Sequence, residues 1–468
     1  MPSLTVSATE PRPINPGKTN VQREIVRLVE RLTYGPTPQE LALASRLGLE
    51  GYLDHQLQAP AELDAPLEAS VIQRFPRITW DAHRLQSLGY NNESGDQLIG
   101  ATLTRRHRSR RQLYERTVEF WSDHFNVSLA KTGPALLVQH DRNAIRKHAF
   151  GTFRELLGAT AESPAMLAYL DNDQSNATRP CQNYARELLE LHTIGVGTYS
   201  QKDVREVARC FSGWTFVREE ARPDFGQFVF DPKRHDNGEK VVLGTVIPAG
   251  GGRQDAVTVL DLLAKHPRTA RRIATKIGRW LIGEGVPDAA VTAIESAYHA
   301  TNGDIRAMIR AAVTHGAFAS APKKFKRPAH LFISVLRALN ADVQSFQDIR
   351  YGYLRQLGHT PFEWPLPNGY PDTLRHWADQ MLPRWNFGMA LLNNGVGGMK
   401  VDFGALFPPP YNSNHVVSRI EDVLFPAGMD PVDREDLRKF LAAVSYMDAT
   451  RARAAVAVAI GMNAYQWY

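Results

Sequence analysis

The stretch "NYARELLELHTIGVG", residues 183–197, sets an amide, an arginine, two carboxylates and a histidine within ten positions of a leucine-spaced segment. At 100° per residue, Asn183, Glu187 and Glu190 fall within about 60° of one another, a polar stripe on an otherwise apolar helix. Arg186 lies at the edge of that stripe, where it can pair with a carboxylate. His192 is five residues past Glu187, roughly 140° away, so an unbroken helix does not aim both at one ion. Gly195 and Gly197 offer a reason for the helix to end early. Upstream, "AMLAYLDNDQSNATRP" ends on Asp171 and Asn172. "EFWSDHFNVS" sets Trp121 and His124 three apart, with Glu119 and Asp123 four apart on another face. "DPKRHDNGEK" puts His235 and Asp236 in a polar loop, and loops carry function more often than cores do.

Imidazoles and carboxylates are the nitrogen and oxygen ligands of zinc, iron and manganese sites. The expectation is an enzyme whose site lies between helices, with His124, Glu187, His235 and His192 as candidate ligands of a divalent metal, zinc or iron. Glu187, Asp171, Asp236 and Arg186 are the candidate catalytic residues, and Trp121, Asn172, Asn183 and Trp214 the candidate substrate contacts. Two histidines and a carboxylate suit a hydrolytic metal-bound water or an oxygen-using iron centre. No H-E-x-x-H spacing supports the set. Each residue also has a structural use: His124 as a bonded core histidine, Glu187 with Arg186 as an ion pair, Asp171 and Asn172 as turn or cap residues, His192 against a helix dipole. A metal-free alternative is a carbohydrate-active enzyme, with Glu187 and either Asp171 or Asp236 as acid and base, and Trp364, Trp377 and Trp385 as stacking surface. A non-catalytic alternative is a helical binding or assembly protein whose polar blocks are buried networks.

The elements that must position these groups read as helices. "VQREIVRLVERLTYG" has apolar residues three and four apart and stops at Gly35 and Pro36. Thr37 and Glu40 then have capping-box spacing. Helical period recurs from "QLYERTVEFWSDHF" to "PAHLFISVLRALN". Strand signal is confined to "FGQFVF" and "KVVLGTVI", whose apolar runs flanking a polar loop favour one hairpin. The fold class expected is mainly α, a multi-helical globular array with one small β-hairpin insertion. Its divisions are a disordered tail over 1–20, a helical subdomain with the candidate site over 21–225, the hairpin over 226–250, a second helical subdomain over 251–356, and a Pro/Trp-rich segment with terminal helices over 357–468.

A chain of 468 residues with 43% hydrophobic and 22% charged content builds a large core in more than one subdomain. Net charge of +6 permits anionic partners without requiring them. The run "TRRHRSRRQLYER", residues 104–116, reads as a solvated helix face in preference to a nucleic-acid stripe. Two cysteines, Cys181 and Cys210, build neither a disulfide framework nor a thiolate zinc site. With no signal-peptide pattern and no apolar run of eighteen residues, the expected setting is cytoplasmic, with no membrane partner. No nucleophile elbow or phosphate loop is present: "PAGGGR" lacks the Lys-Ser/Thr ending.

The blocks "RLTYGPTPQEL", "EFWSDHFNVS", "PAMLAYLDNDQSN", "NYARELLELHTIGVGTYSQKDVREVARCFSGWT", "FDPKRHDNGEKVVLG", "HPRTARRIATKI" and "KFKRPAHLFISVLRAL" run in order from about residue 22 to 390. In them the chain resembles the bacterial family called domain of unknown function 1800. That resemblance implies a mostly helical fold and an unassigned activity. It also implies an exported setting for many relatives and a phosphatase-like partner protein, while the substrate, small molecule or polysaccharide, stays open. It places the family's motif residues on Trp121, His124, Asp171, Asn172, Asn183 to Glu187, His235 and Asp236. The chain departs from the family pattern at Gln182, where relatives carry Glu, at His192, where many carry Phe, and at Tyr370, which stands for Trp.

Overall fold

The computed structural model describes residues 20–89, 92–443 and 447–468. The expected disordered tail thus lies outside the described residues, except for Asn20, which opens the first helix, Asn20–Leu32. Apolar spacing buries Ile25, Leu28, Val29 and Leu32 on one face of that helix. Thr37 caps the next helix, Pro38–Gln58, by accepting from the Glu40 N–H at 3.2 Å. Gly48, at φ 73°, kinks it.

Mainly α is the architecture, with three two-stranded antiparallel sheets among the described residues. One apolar core gathers side chains from Ile25 to Ala321, and a second gathers Tyr34, Ile99 and Leu103 with residues from Ala329 to Tyr465. Residues 251–321 therefore pack with the preceding chain, and the second core begins at the Pro328–Ala338 helix, which is buried on all sides.

The β segments pair differently from the single hairpin expected. Phe228–Phe230 pairs back onto Trp214–Phe216, and Lys240–Val242 pairs with Thr245–Ile247. The reason is local. Leu243 and Gly244 both have positive φ, 49° and 81°, which closes "KVVLGTVI" on itself as a two-residue hairpin and leaves Phe228–Phe230 another partner.

The basic run 104–116 is not a solvated face. Arg105, Arg106 and Arg116 are buried because the Glu93–Arg108 and Gln112–His124 helices turn them toward carboxylates, and His107 is buried edge-on to Phe346. Glu119 receives Arg106 at 3.1 Å, Arg327 at 2.8 Å and the Tyr34 hydroxyl at 3.0 Å, with Arg116 at 3.7 Å. Arg327 also holds Asp123 at 2.6 Å. The guanidinium groups, Arg106 first, hold the Glu119 carboxyl far below the usual carboxylate range against the opposing effect of its burial. This ionic cluster lies where the Gln112–His124 helix faces Arg327, at the start of Pro328–Ala338.

Candidate functional site

The polar segment 183–197 does not continue as one α-helix. Gln182–Glu187 is α-helical and Leu188–His192 is a π turn, closed by the Gly195 N–H donating to the Leu189 carbonyl at 2.9 Å. The wider turn carries His192 into the core, 2% exposed, while Glu187 stays half-buried at the surface. The candidate residues are thereby divided among three environments.

The first is sealed. His124 ends the Gln112–His124 helix at 2% exposure, edge-on to Trp121 and Phe125. Lys276 Nζ donates to its Nδ1 at 2.7 Å, and its Nε2 faces the His192 carbonyl at 3.0 Å. These partners assign a neutral ring protonated on Nε2. Burial, then the Lys276 charge, holds the His124 pKa well below that of a free histidine. Burial, again with Lys276 next, takes His192 down to about 3. Lys276 itself is lowered to about 7 by burial and then by Arg272. Trp121 is fully buried, so it offers no face to a substrate.

The second environment is also closed. His235 Nδ1 donates to the Ser212 carbonyl at 2.8 Å and its Nε2 meets Asp255 Oδ2 at 3.0 Å. Lys240 Nζ reaches the same Oδ2 at 2.5 Å. His235, Lys240 and Asp255 are each under 5% exposed. Asp236 is gripped by Arg209 through two bonds, 2.7 and 3.1 Å, which lowers its pKa. Asn172 donates to the carbonyls of Phe211 and Trp214, both at 3.1 Å, and so clamps the chain at the first strand. Trp214 is fully buried.

The third is accessible. Asp171, in a left-handed conformation at φ 64°, accepts from Lys131 at 2.9 Å and from Asn183 at 3.2 Å. Asn183 sits one helical turn before Glu187. The Glu187 side chain makes no hydrogen bond among the described residues, and its pKa is raised by burial and then by Glu190. Arg186 donates to Gln201 at 2.9 Å rather than to either carboxylate. Tyr169 lies close enough to Glu187 to feel its charge. Its hydroxyl donates to the Pro365 carbonyl at 2.7 Å, which brings the loop carrying Trp364 to this face.

The expected metal set is not assembled. Both ring nitrogens of His124 and of His235 are engaged, and Glu187 belongs to a different face. Among the described residues no group of three or more His, Cys, Asp or Glu side chains is placed to hold a metal ion. Of the aromatic surface expected, Trp377 is 1% exposed and Trp385 47%, while Trp364 is half-buried with its ring against Tyr370 and His376. Lys131, Tyr169, Lys276 and Asp255 escaped sequence reasoning.

A family model described as "Protein of unknown function (DUF1800)" matches residues 27–467. The chain belongs to that family. No curated protein and no solved structure matches it. Among the described residues, no helix is long and apolar enough to cross a membrane.

Proposed function

We propose that this member of the family is a metal-independent acid–base enzyme of the carbohydrate-active type, working at the Asp171, Asn183 and Glu187 face. The observation that carries the reading is the unlike setting of its two carboxyls. Glu187 is half-buried, lacks a hydrogen bond among the described residues and has a raised pKa, the state of a general acid. Asp171, by contrast, is ion-paired to Lys131 and accepts a hydrogen bond from Asn183. Trp364 would supply a stacking face for a sugar ring. Arg186 and Asn183 would orient the substrate's hydroxyl groups, and Asp236, held by Arg209, has no part in the chemistry.

Hydrolysis of a panel of oligosaccharides, followed with and without a chelator, tests this. The expected result is turnover indifferent to the chelator and lowered about 100-fold or more in Glu187→Gln. Turnover that survives Glu187→Gln, or an experimental separation of the two carboxyls beyond about 10 Å, overturns it.

A second reading, a non-catalytic binding or assembly protein, has its own support. The Glu119 cluster and the His124 and His235 networks are buried and internally bonded, as packing devices are. It predicts that Glu187→Gln alters stability alone.

A further inference from the structure

A cavity of about 90 Å³ lies between the Asn20–Leu32 helix and three later segments, residues 321–326, 424–428 and 464–468. Its wall is strongly cationic. Arg23, Arg27, Arg31, Lys323 and Lys326 line it, with Glu30 as the single carboxylate in the lining. Four of them, Arg27, Arg31, Lys323 and Lys326, make no ion pair with a carboxylate among the described residues. Their support is of another kind. The Arg31 guanidinium stands 5.1 Å from the Tyr468 ring and donates through Nη2 to the Pro322 carbonyl. Its Nε and Nη1 are buried with no hydrogen-bond partner among the described residues. Lys326 Nζ lies 3.7 Å from the Tyr465 ring and donates to that residue's carbonyl at 2.8 Å.

Arg31 and Lys326 are 2% and 6% exposed, so burying both leaves positive charge poorly compensated. Burial lowers Arg31 to about 10 and Lys326 to about 7, the response of cations awaiting a counter-ion. Glu30, whose own pKa is raised by burial, stands among all four cations without a direct bond to any of them. Space for several waters, at roughly 10–15 Å³ each, separates these charges. That volume suits a tetrahedral oxyanion and is too small for a nucleotide.

We propose that this cavity is a binding site for a small tetrahedral oxyanion of the phosphate or sulfate class, free or as the end of a phosphomonoester. It lies apart from the Glu187 face and does not depend on the activity proposed there. The unpartnered nitrogens of Arg31 and the half-exposed Arg27 and Lys323 would contact the anion, while Glu30 opposes it.

Calorimetric titration of the full chain with inorganic phosphate, at ionic strength fixed with chloride, reads the site. The expected result is saturable binding of one anion per chain. It should weaken about tenfold or more in Arg27→Gln with Lys323→Gln, two half-exposed positions, and tighten several-fold in Glu30→Gln. Circular dichroism checks that each variant is folded, and if the double variant is not, Lys323→Gln alone decides. Methyl phosphate binding tighter than inorganic phosphate identifies an ester as the natural ligand, and weaker binding identifies the free ion. No saturable binding, equal binding of chloride, or affinity unchanged by removing the cations overturns the proposal.

Discussion

Lys276 donates to Nδ1 of His124 at 2.7 Å, joining residues 152 positions apart in a contact that leaves the imidazole no free nitrogen. A histidine so placed is a packing element, and the lysine beside it carries the titration.

Stability should therefore rise with pH above neutrality. Lys276 and Lys326 are both lowered to about 7 in the folded chain, against about 10.4 when unfolded. Between those values the unfolded state binds more protons, so the free energy of unfolding increases from pH 7 toward pH 10 and is flat, on their account, below 7. Urea denaturation across this range should show the rise, and Lys276→Met should reduce its slope.

Asp255 is shared by His235 and Lys240, with all three buried. Asp255→Asn removes the counter-charge from a sealed ammonium and should cost about 3–5 kcal/mol in denaturant unfolding. Retention of wild-type stability would mean that solvent reaches Lys240.

At the accessible face the prediction concerns pH and rate. Burial and Glu190 raise the Glu187 pKa, so the group stays protonated to higher pH than an ordinary glutamate. A reaction that needs it as an acid loses rate as pH rises through that pKa. The pH profile of Glu187→Gln should lack this alkaline limb.

Gly369 tests how closely the Pro/Trp-rich segment covers the ionic cluster. Its φ is 73°, and a Cβ there would come within 2.0 Å of the Asp123 carbonyl oxygen. Gly369→Ala should destabilise the fold by more than the roughly 1 kcal/mol of an ordinary glycine substitution, read as a lower urea midpoint.

Much of the helical framework was legible in the chain. Apolar spacing located Asn20–Leu32 and Gln112–His124, and Thr37 announced its own cap, because each depends on neighbours within about four residues. The motif blocks identified the family, and the family model spans 27–467. The site was less legible. Residue types showed where nitrogen and oxygen donors lie, yet whether a donor is free depends on partners that sequence spacing does not reveal. Lys276 occupies His124, Asp255 occupies His235, and Arg209 occupies Asp236. A π turn that no local spacing predicted carries His192 inward while Glu187 stays outside. Local propensity and apolar period, which act over one or two turns, are written in the sequence itself. The pairing of buried charges is set by which helices come to lie side by side, and only the tertiary structure decides that.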